Sequence, residues 1–415
     1  MKRIVALVSC IGLSIVSVAS YACTSVIVSS KVTGTGKPLM IKQRDWSKHA
    51  HNKAVYVEGP VYNFISITNS HNNGPSTVGG INTEGFCIMN TASNNSPETK
   101  QDNAFRSGTL MYYALGRCRN TKDFENMLDT LSRPLYIKGN IGIIDADGGA
   151  AYYQFKYGKW IKNDVNDLEK NPKGYYVMTN FTEVAKDKDM KGYYRYLEAD
   201  AAMKDVDMKT ITAQTLIDRV ARSVYNIRTG IDYRRDYAAL KASGVFNGVA
   251  IDQDMIMRTS TVSALVFEGV KKNEKPSHSI MWTIFGNPGC SVAIPMLATG
   301  RDIIPDYMKP GDKKTTLMNR ISRKIRKKFL YPFEKESFSA NEYIMMDNLI
   351  EGTEGRPALL TCCENAERRI REDFYAIYDK WCSKKMKDEE FYSKYVSTSA
   401  SFINYYKEEF KSYLD

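Results

Sequence analysis

Only four histidines occur in the 415 residues, at positions 49, 51, 71 and 278, and no Cys-x-x-Cys accompanies them. Metal centres are built from His, Cys and carboxylate clusters at short spacing. No metal is therefore expected, and His49 and His51 read as a solvated pair on one side of a strand. A Walker-type phosphate loop is missing, and the glycine clusters lack the strand-glycine-helix arrangement of a dinucleotide fingerprint, so no cofactor is expected. The absence of a Gly-x-Ser-x-Gly elbow speaks against a Ser-His-Asp hydrolase. Past Val18, no apolar run approaches the roughly 20 residues that span a bilayer. Internal repeats, low-complexity tracts and Pro/Gly-rich linkers are also missing, which argues against an independently moving second domain.

What is present begins with a fixed order of charge and apolarity. Lys2 and Arg3 precede the apolar run Ile4 to Val18, and Ser20-Tyr21-Ala22 places small residues three and one positions before Cys23. This is the pattern of a secretory signal peptide and its cleavage site. Residues 1–22 read as that leader, and Cys23 becomes the first residue of an exported, periplasmic or extracellular chain. A cysteine there carries a thiol and a free α-amine, and an amine of pKa about 7.7 to 8.0 is basic enough to accept the thiol proton. Two other readings stand beside it. One is a membrane-anchored lipoprotein acylated at Cys23, against which Ser20 and Tyr21 replace the usual Leu and small residue. The other is an ordinary exported cysteine bound for a disulfide.

Downstream, Thr24 to Val28 is β-branched and strand-like, Gly34 to Pro38 is a turn, and Leu39 to Lys42 returns as a second strand ending at Gln43-Arg44-Asp45-Trp46. The hairpin brings Arg44 and Asp45 back to Cys23. A carboxylate there orients the α-ammonium or the thiol, and a guanidinium stabilises the thiolate. Taken alone, the Arg-Asp pair is more simply an ion pair at a strand end. Asn90 and Asn180, each ending an apolar strand-like run, are more simply turn residues, and Gly79-Gly80 with Gly85 is a turn signal.

The segments Cys23-Thr24-Ser25, Lys42 to Trp46, Gly79 to Phe86 and Met178 to Phe181 together resemble the cysteine-type N-terminal nucleophile (Ntn) hydrolases. That group includes choloylglycine hydrolases, penicillin V acylases and the peptidase C45-like linear amide C-N hydrolases, and the exported C45-like branch is the nearest in pattern. The resemblance runs from Cys23 to about Pro295. It implies an α+β fold, a four-layer αββα sandwich over residues 23–305. It also implies an enzyme that opens a linear amide through an acyl-enzyme thioester; an acyltransferase with the same intermediate is the alternative. By the same resemblance Cys23 is the nucleophile and Arg44 and Asp45 surround it. The bile salt enzymes separate that pair by two residues, so which of the two faces the thiol is left open. Asn180 matches an oxyanion-hole asparagine and Asn90 the second asparagine near it. Arg195 falls in the family's arginine-rich segment, where Glu198 replaces a second arginine. Arg258 reads as structural.

Composition fits an exported globular chain, at 43% hydrophobic and 25% charged. Of eight cysteines Cys10 lies in the leader. The remaining number is odd, which leaves at least one thiol unpaired, and Cys23 is the natural one. Cys362, Cys363 and Cys382 read either as partners in a disulfide or as free thiols, and Cys87, Cys118 and Cys290 as core. Strands are predicted around Val55, Asn63 to Thr68, Gly142 to Asp145, Ala150 to Phe155, Tyr175 to Thr179 and Ser279 to Phe285; helices over Gly108 to Cys118, Thr121 to Leu131 and Ile211 to Tyr225. Residues 306–415 read as a helical extension packed on the core, with a homo-oligomer surface as a second use. The net charge of +11 is concentrated in residues 313–329, an amphipathic basic helix. Its bland reading is a solvated face; the sharper one is a surface for anionic lipid or glycan, so membrane contact is expected only there or through lipid on Cys23. A small amide is the expected partner, and nucleic acid is not.

Overall fold

The computed structural model describes residues 22–46, 51–95, 107–131, 137–156, 158–183, 191–311, 314–333, 343–353 and 355–415. Residues 1–21, where a leader is expected, His49 and Lys313 lie outside the described residues, as do the expectations attached to them.

β1 (Ala22–Val28) and β2 (Leu39–Asp45) pair antiparallel in unbroken register from Ala22 opposite Asp45 to Val28 opposite Leu39. Both are buried over their whole length. A β-branched run such as Thr24 to Val28 suits a strand covered on both faces. The chain then lays down a meander: β3 (Asn52–Val57), β4 (Phe64–Asn69), β5 (Gly79–Asn82), β6 (Cys87–Thr91), helices α1 (Ser107–Leu115) and α2 (Thr121–Thr130), β7 (Asn140–Ile144), β8 (Ala150–Lys156) and β9 (Lys159–Asp164). These strands form a seven-stranded sheet in chain order. β10 (Tyr175–Met178) returns to pair with β1. After α3 (Tyr193–Lys204), α4 (Ala213–Leu216), a short β11 (Tyr225–Asn226) and β12 (Ile231–Asp232) ladder, α5 (Tyr233–Ala242) and β13 (Val249–Ile251), the strands β14 (Thr261–Glu268), β15 (Ile280–Phe285) and β16 (Ile294–Met296) complete the first sheet. Its order is β10-β1-β2-β14-β15-β16, antiparallel throughout.

The sheets face each other, β1 and β2 lying over β6, β7 and β8. Tyr152 of β8 crosses the gap to donate to the Ser25 hydroxyl of β1, 2.9 Å away. On the far side of the seven-stranded sheet, Leu110 and Met111 of α1 and Phe124 and Leu128 of α2 join Ile88, Ile141 and Tyr153 in a separate core. On the far side of the six-stranded sheet α3 packs on β1 and β10, and α4 on β14. The result is helix, sheet, sheet, helix, the four layers that the family resemblance implies.

Two local readings need correction. Gly79-Gly80 is not a turn but the start of β5, and a Cβ at Gly80 would lie 2.4 Å from the Ile65 carbonyl. Here glycine marks close backbone approach within a sheet rather than a bend. The basic helix exists as α6 (Leu317–Ile325), with Arg320, Arg323 and Lys324 exposed. A wider π turn over Arg326–Leu330 shifts its phase, however, and Arg326 points inward to donate to the Thr259 carbonyl, 2.9 Å away.

The extension carries α7 (Leu359–Cys382) and α8 (Asp388–Glu409). Leu359, Cys362, Cys363, Ala366, Ile370, Phe374 and Tyr378 recur at helical spacing on the buried face of α7. At the α7–α8 corner Trp381 stacks on Phe391 with centroids 4.0 Å apart, and Trp282 of β15 meets Phe374 edge-on. The helical pair thus shares one core with the six-stranded sheet. Of the two outcomes open for Cys362, Cys363 and Cys382, the structure has free thiols.

One ion pair ties this extension down. Arg222, just past the π turn Ile217–Ala221, meets both oxygens of Glu367 on α7 at 2.9 and 2.7 Å, and the pair is almost fully buried. Glu367 also accepts from the Ala293 backbone at 2.8 Å. Breaking one side of such a pair leaves an uncompensated buried charge. Glu367→Ala is expected to lower unfolding free energy by about 3 to 5 kcal/mol in urea titration.

His278 lies against Trp381, with ring centroids 4.3 Å apart. Burial, with help from Lys275, pulls its pKa from 6.5 down to about 4. The folded chain therefore keeps His278 neutral where the unfolded chain protonates it, so stability is full above pH 6.5 and falls as pH drops toward 4. Thermal melts between those pH values should show this loss, and His278→Gln should flatten it.

Candidate active site

The strand register decides which side chains share a face. Cys23 lies directly opposite Arg44, and Ser25 opposite Lys42. Side chains alternate along a strand, so Cys23, Ser25, Lys42 and Arg44 face the second sheet, whereas Thr24, Gln43 and Asp45 face the helices. The adjacency of Arg44 and Asp45 thus has a definite outcome: Arg44 shares the thiol's face and Asp45 takes the opposite one.

On the thiol face Arg44 reaches the second sheet, donating to Asn52 Oδ1 at 2.6 Å and Asn69 Oδ1 at 2.8 Å, with its guanidinium over Trp46. Lys42 is buried and donates to the Val78 carbonyl and to Asn90 Oδ1, both at 2.7 Å. Burial pulls the Lys42 pKa down to about 8; Cys23 pulls it up and Arg44 pushes it further down. Asn90 in turn donates to Ser107 Oγ at 2.7 Å, so this asparagine is placed against Lys42 and α1.

The Cys23 backbone is held at both ends. Its nitrogen donates to Asn180 Oδ1 at 2.8 Å, and its carbonyl accepts from Arg195 Nη1 at 2.7 Å. Arg195 also reaches Thr24 Oγ1 at 2.9 Å and, through Nη2, Asn180 Oδ1 at 2.7 Å. A planar guanidinium with five donors suits such bridging, and a lysine point charge does not. Asn180 Nδ2 donates to the Ala92 carbonyl at 3.0 Å. An amide NH2 carries two hydrogens, and this bond uses one. Asn180 stands here because β10 pairs with β1 up to Met178 opposite Ser25 and ends just before it.

Behind the strand Asp45 accepts from Thr261 Oγ1 at 2.8 Å and forms an ion pair with Arg258 at 2.6 Å. Attraction to Asp45 raises the Arg258 pKa against its burial. Arg195 is shifted down by burial and by Arg258, with Asp45 and Cys23 opposing. Glu198, one helical turn on from Arg195, is pushed well above the usual carboxylate range by burial and accepts from Ser223. A third guanidinium, after those of Arg44 and Arg195, comes from Arg258, which reads as structural in the sequence. Lys42 lies within the Lys42 to Trp46 segment, and the family resemblance assigns it no role. A lysine directly after the apolar run Leu39-Met40-Ile41, in a strand buried throughout, is the available signal. Among the described residues no His/Cys/Asp/Glu cluster suited to a metal occurs, and no helix is long and apolar enough to cross a membrane.

With Asp45 1% and Arg258 22% exposed at the side chain, loss of the cation strands a buried carboxylate. Arg258→Met is expected to cost about 3 kcal/mol in chemical denaturation, with Arg258→Lys recovering part of it. A stability equal to the parent's would remove the pair from the supports of the site.

Residues 32–226 match the family described as acyl-coenzyme A:6-aminopenicillanic acid acyl-transferase. The matched span holds Lys42, Arg44, Asp45, Asn90, Asn180 and Arg195, and begins after Cys23. Among curated proteins no sequence matches. Among solved structures the chain is similar to penicillin V acylase from Agrobacterium tumefaciens, at 13% identity over 66% of this chain and 86% of that one, with a TM-score of 0.38. A Caenorhabditis elegans ortholog of N-acylethanolamine-hydrolyzing acid amidase gives 12% identity, 61% and 93% coverage and 0.37. A variant of conjugated bile acid hydrolase from Clostridium perfringens gives 10% identity, 68% and 94% coverage and 0.42. Likenesses this distant carry no weight on substrate.

Proposed function

We propose that the chain, whose residues 32–226 match the acyl-coenzyme A:6-aminopenicillanic acid acyl-transferase family, is an exported amidohydrolase of the peptidase C45-like Ntn hydrolase type that opens a small linear amide with Cys23 as N-terminal nucleophile. The observation that carries this reading is the hold on the Cys23 nitrogen by Asn180 Oδ1, itself braced by Arg195. Removal of residues 1–22 turns that nitrogen into an α-amine already oriented beside its own thiol.

The amine accepts the thiol proton and the sulfur attacks the amide carbonyl. The oxyanion is met by the second Asn180 Nδ2 hydrogen, and the α-ammonium returns the proton to the leaving amine as the C-N bond breaks. Arg195 fixes the Cys23 carbonyl, so the nucleophile keeps its place while charge moves. Water, deprotonated by the regenerated amine, then releases the acid from the thioester. The acyl-transferase description of the matched family favours a second outcome at this last step, attack by an amine or thiol acceptor in place of water.

The intact mass of the mature protein tests the premise: the chain should begin at a free Cys23, and a retained leader or a diacylglyceryl adduct overturns it. Against a panel of N-acyl amides, Cys23→Ser should abolish turnover with the fold unchanged. Asn180→Ala should lower kcat by about 10² to 10³, the usual loss for one oxyanion donor, and a near-parental rate would refute that assignment. Added hydroxylamine or thiol as acceptor measures the split between hydrolysis and transfer.

A further inference from the structure

Lys42 is a buried amine on the nucleophile's own face, and the chemistry above leaves it unused. It occupies the middle of β2, opposite Ser25 of β1 on one side and Leu265 of β14 on the other. Its side chain is inserted toward the second sheet, where both acceptors, the Val78 carbonyl and Asn90 Oδ1, are neutral. A lysine ammonium has three hydrogens, and these bonds use two. The charged and titratable groups that act on it are Cys23 of β1, which favours its ammonium form, and Arg44 of its own strand, which disfavours it. β14 places Leu265 at this level, and the second sheet brings the two oxygens and the Tyr152 phenol, which donates to Ser25. Two neutral acceptors are a poor return for an ammonium taken out of water, so the placement calls for a role that needs a proton.

We infer that Lys42 is the second proton partner of Cys23, exchanging a proton with the thiol and holding the resulting thiolate by its charge. In this step the S-H bond breaks and an N-H bond forms on Nζ, giving a thiolate and an ammonium with no net change of charge. When the leaving amine departs it takes a proton from either the α-ammonium or the Lys42 ammonium, and the thiol is restored when the thioester is cleaved. The inference rests on Cys23 as nucleophile and deepens that reading. Lys42 acts through the sulfur, so it is a positioning and proton-exchanging residue. The amine's lowered value, about 8, lies where such exchange is effective near neutral pH.

The test reads the thiol, with no substrate and no need for a processed amino terminus. The rate of Cys23 alkylation by iodoacetamide, quantified on the Cys23 peptide by mass spectrometry, is followed from pH 5 to 10. The parent should show two apparent steps belonging to the coupled pair. Lys42→Met should slow alkylation at pH 7 on the order of tenfold, since one opposite charge moves a titration by about one unit or more, and should leave a single step. Lys42→Arg, which keeps a permanent cation, should restore the rate at pH 7 but not the second step. A Lys42→Met profile that superimposes on the parent's overturns the inference while leaving the proposed function intact. If Lys42→Met fails to fold, NMR titration of Lys42 in parent and Cys23→Ser chains decides instead. Coupling is reciprocal, so Lys42 should titrate at lower pH once the thiol is gone, and an unchanged titration overturns the inference.

Discussion

The placement of β1 between β10 and β2 is the constraint on which the rest of the site depends. From β2 it receives Arg44 opposite Cys23, and from β10 it receives Asn180 at the Cys23 nitrogen. A slip of one residue in either pairing turns Cys23 toward the helices and brings Asp45 or Gln43 to the thiol's former face. The burial of β1 on both faces opposes any slip, because Ile27 packs toward the second sheet and Val26 and Val28 toward the opposite side, and a one-residue shift would exchange them. The precision of the site is therefore a property of sheet packing before it is a property of any catalytic residue.

The two faces of this strand pair are electrostatically unlike. Toward the second sheet Lys42 and Arg44 bring cationic groups that donate to neutral oxygens of Val78, Asn90, Asn52 and Asn69. Toward the helices the carboxylate of Asp45 is neutralised by Arg258 and further bonded by Thr261. Cationic groups thus gather on the face of the Cys23 thiol, and the Asp45–Arg258 ion pair lies on the opposite one. Arg195 joins the two sides, since it binds Thr24 and the Cys23 carbonyl at once.

Local physics made much of this legible in the sequence. The Thr24 to Val28 run, the turn at Gly34 to Pro38 and the return to Asp45 define the hairpin, and with it the approach of Arg44 to Cys23. The long helices of the extension announced themselves by apolar spacing, as Phe374 and Tyr378 on α7 show. Contacts made across sequence distance were not legible. Arg258 meets Asp45 only because β14 lies beside β2, and nothing within Arg258-Thr259-Ser260 announces that neighbour. Gly79-Gly80 was misread because a glycine required for backbone contact with Ile65 has the same local signature as one required for a turn. Arg326 was misassigned to the solvated face because a π turn breaks the period on which that reading relied.

The extension bears on the site through a short run of contacts. Glu367 holds Arg222, and the turn before Arg222 packs on β2. The next residue, Ser223, accepts from the Met257 backbone at 3.1 Å, and Met257 adjoins the arginine that pairs with Asp45. Arg222 donates besides to the Pro288 and Ser291 carbonyls, near the end of β15. Without α7 the other carboxylate of this guanidinium is Asp218, more than a third exposed and therefore weak. Arg222 would then be a buried cation with poor compensation, next to the turn that packs on the strand carrying Lys42 and Arg44. The helical pair thus supports the site at a distance: through Glu367 and Arg222 it braces the turn that packs on β2, the strand that carries Lys42 and Arg44.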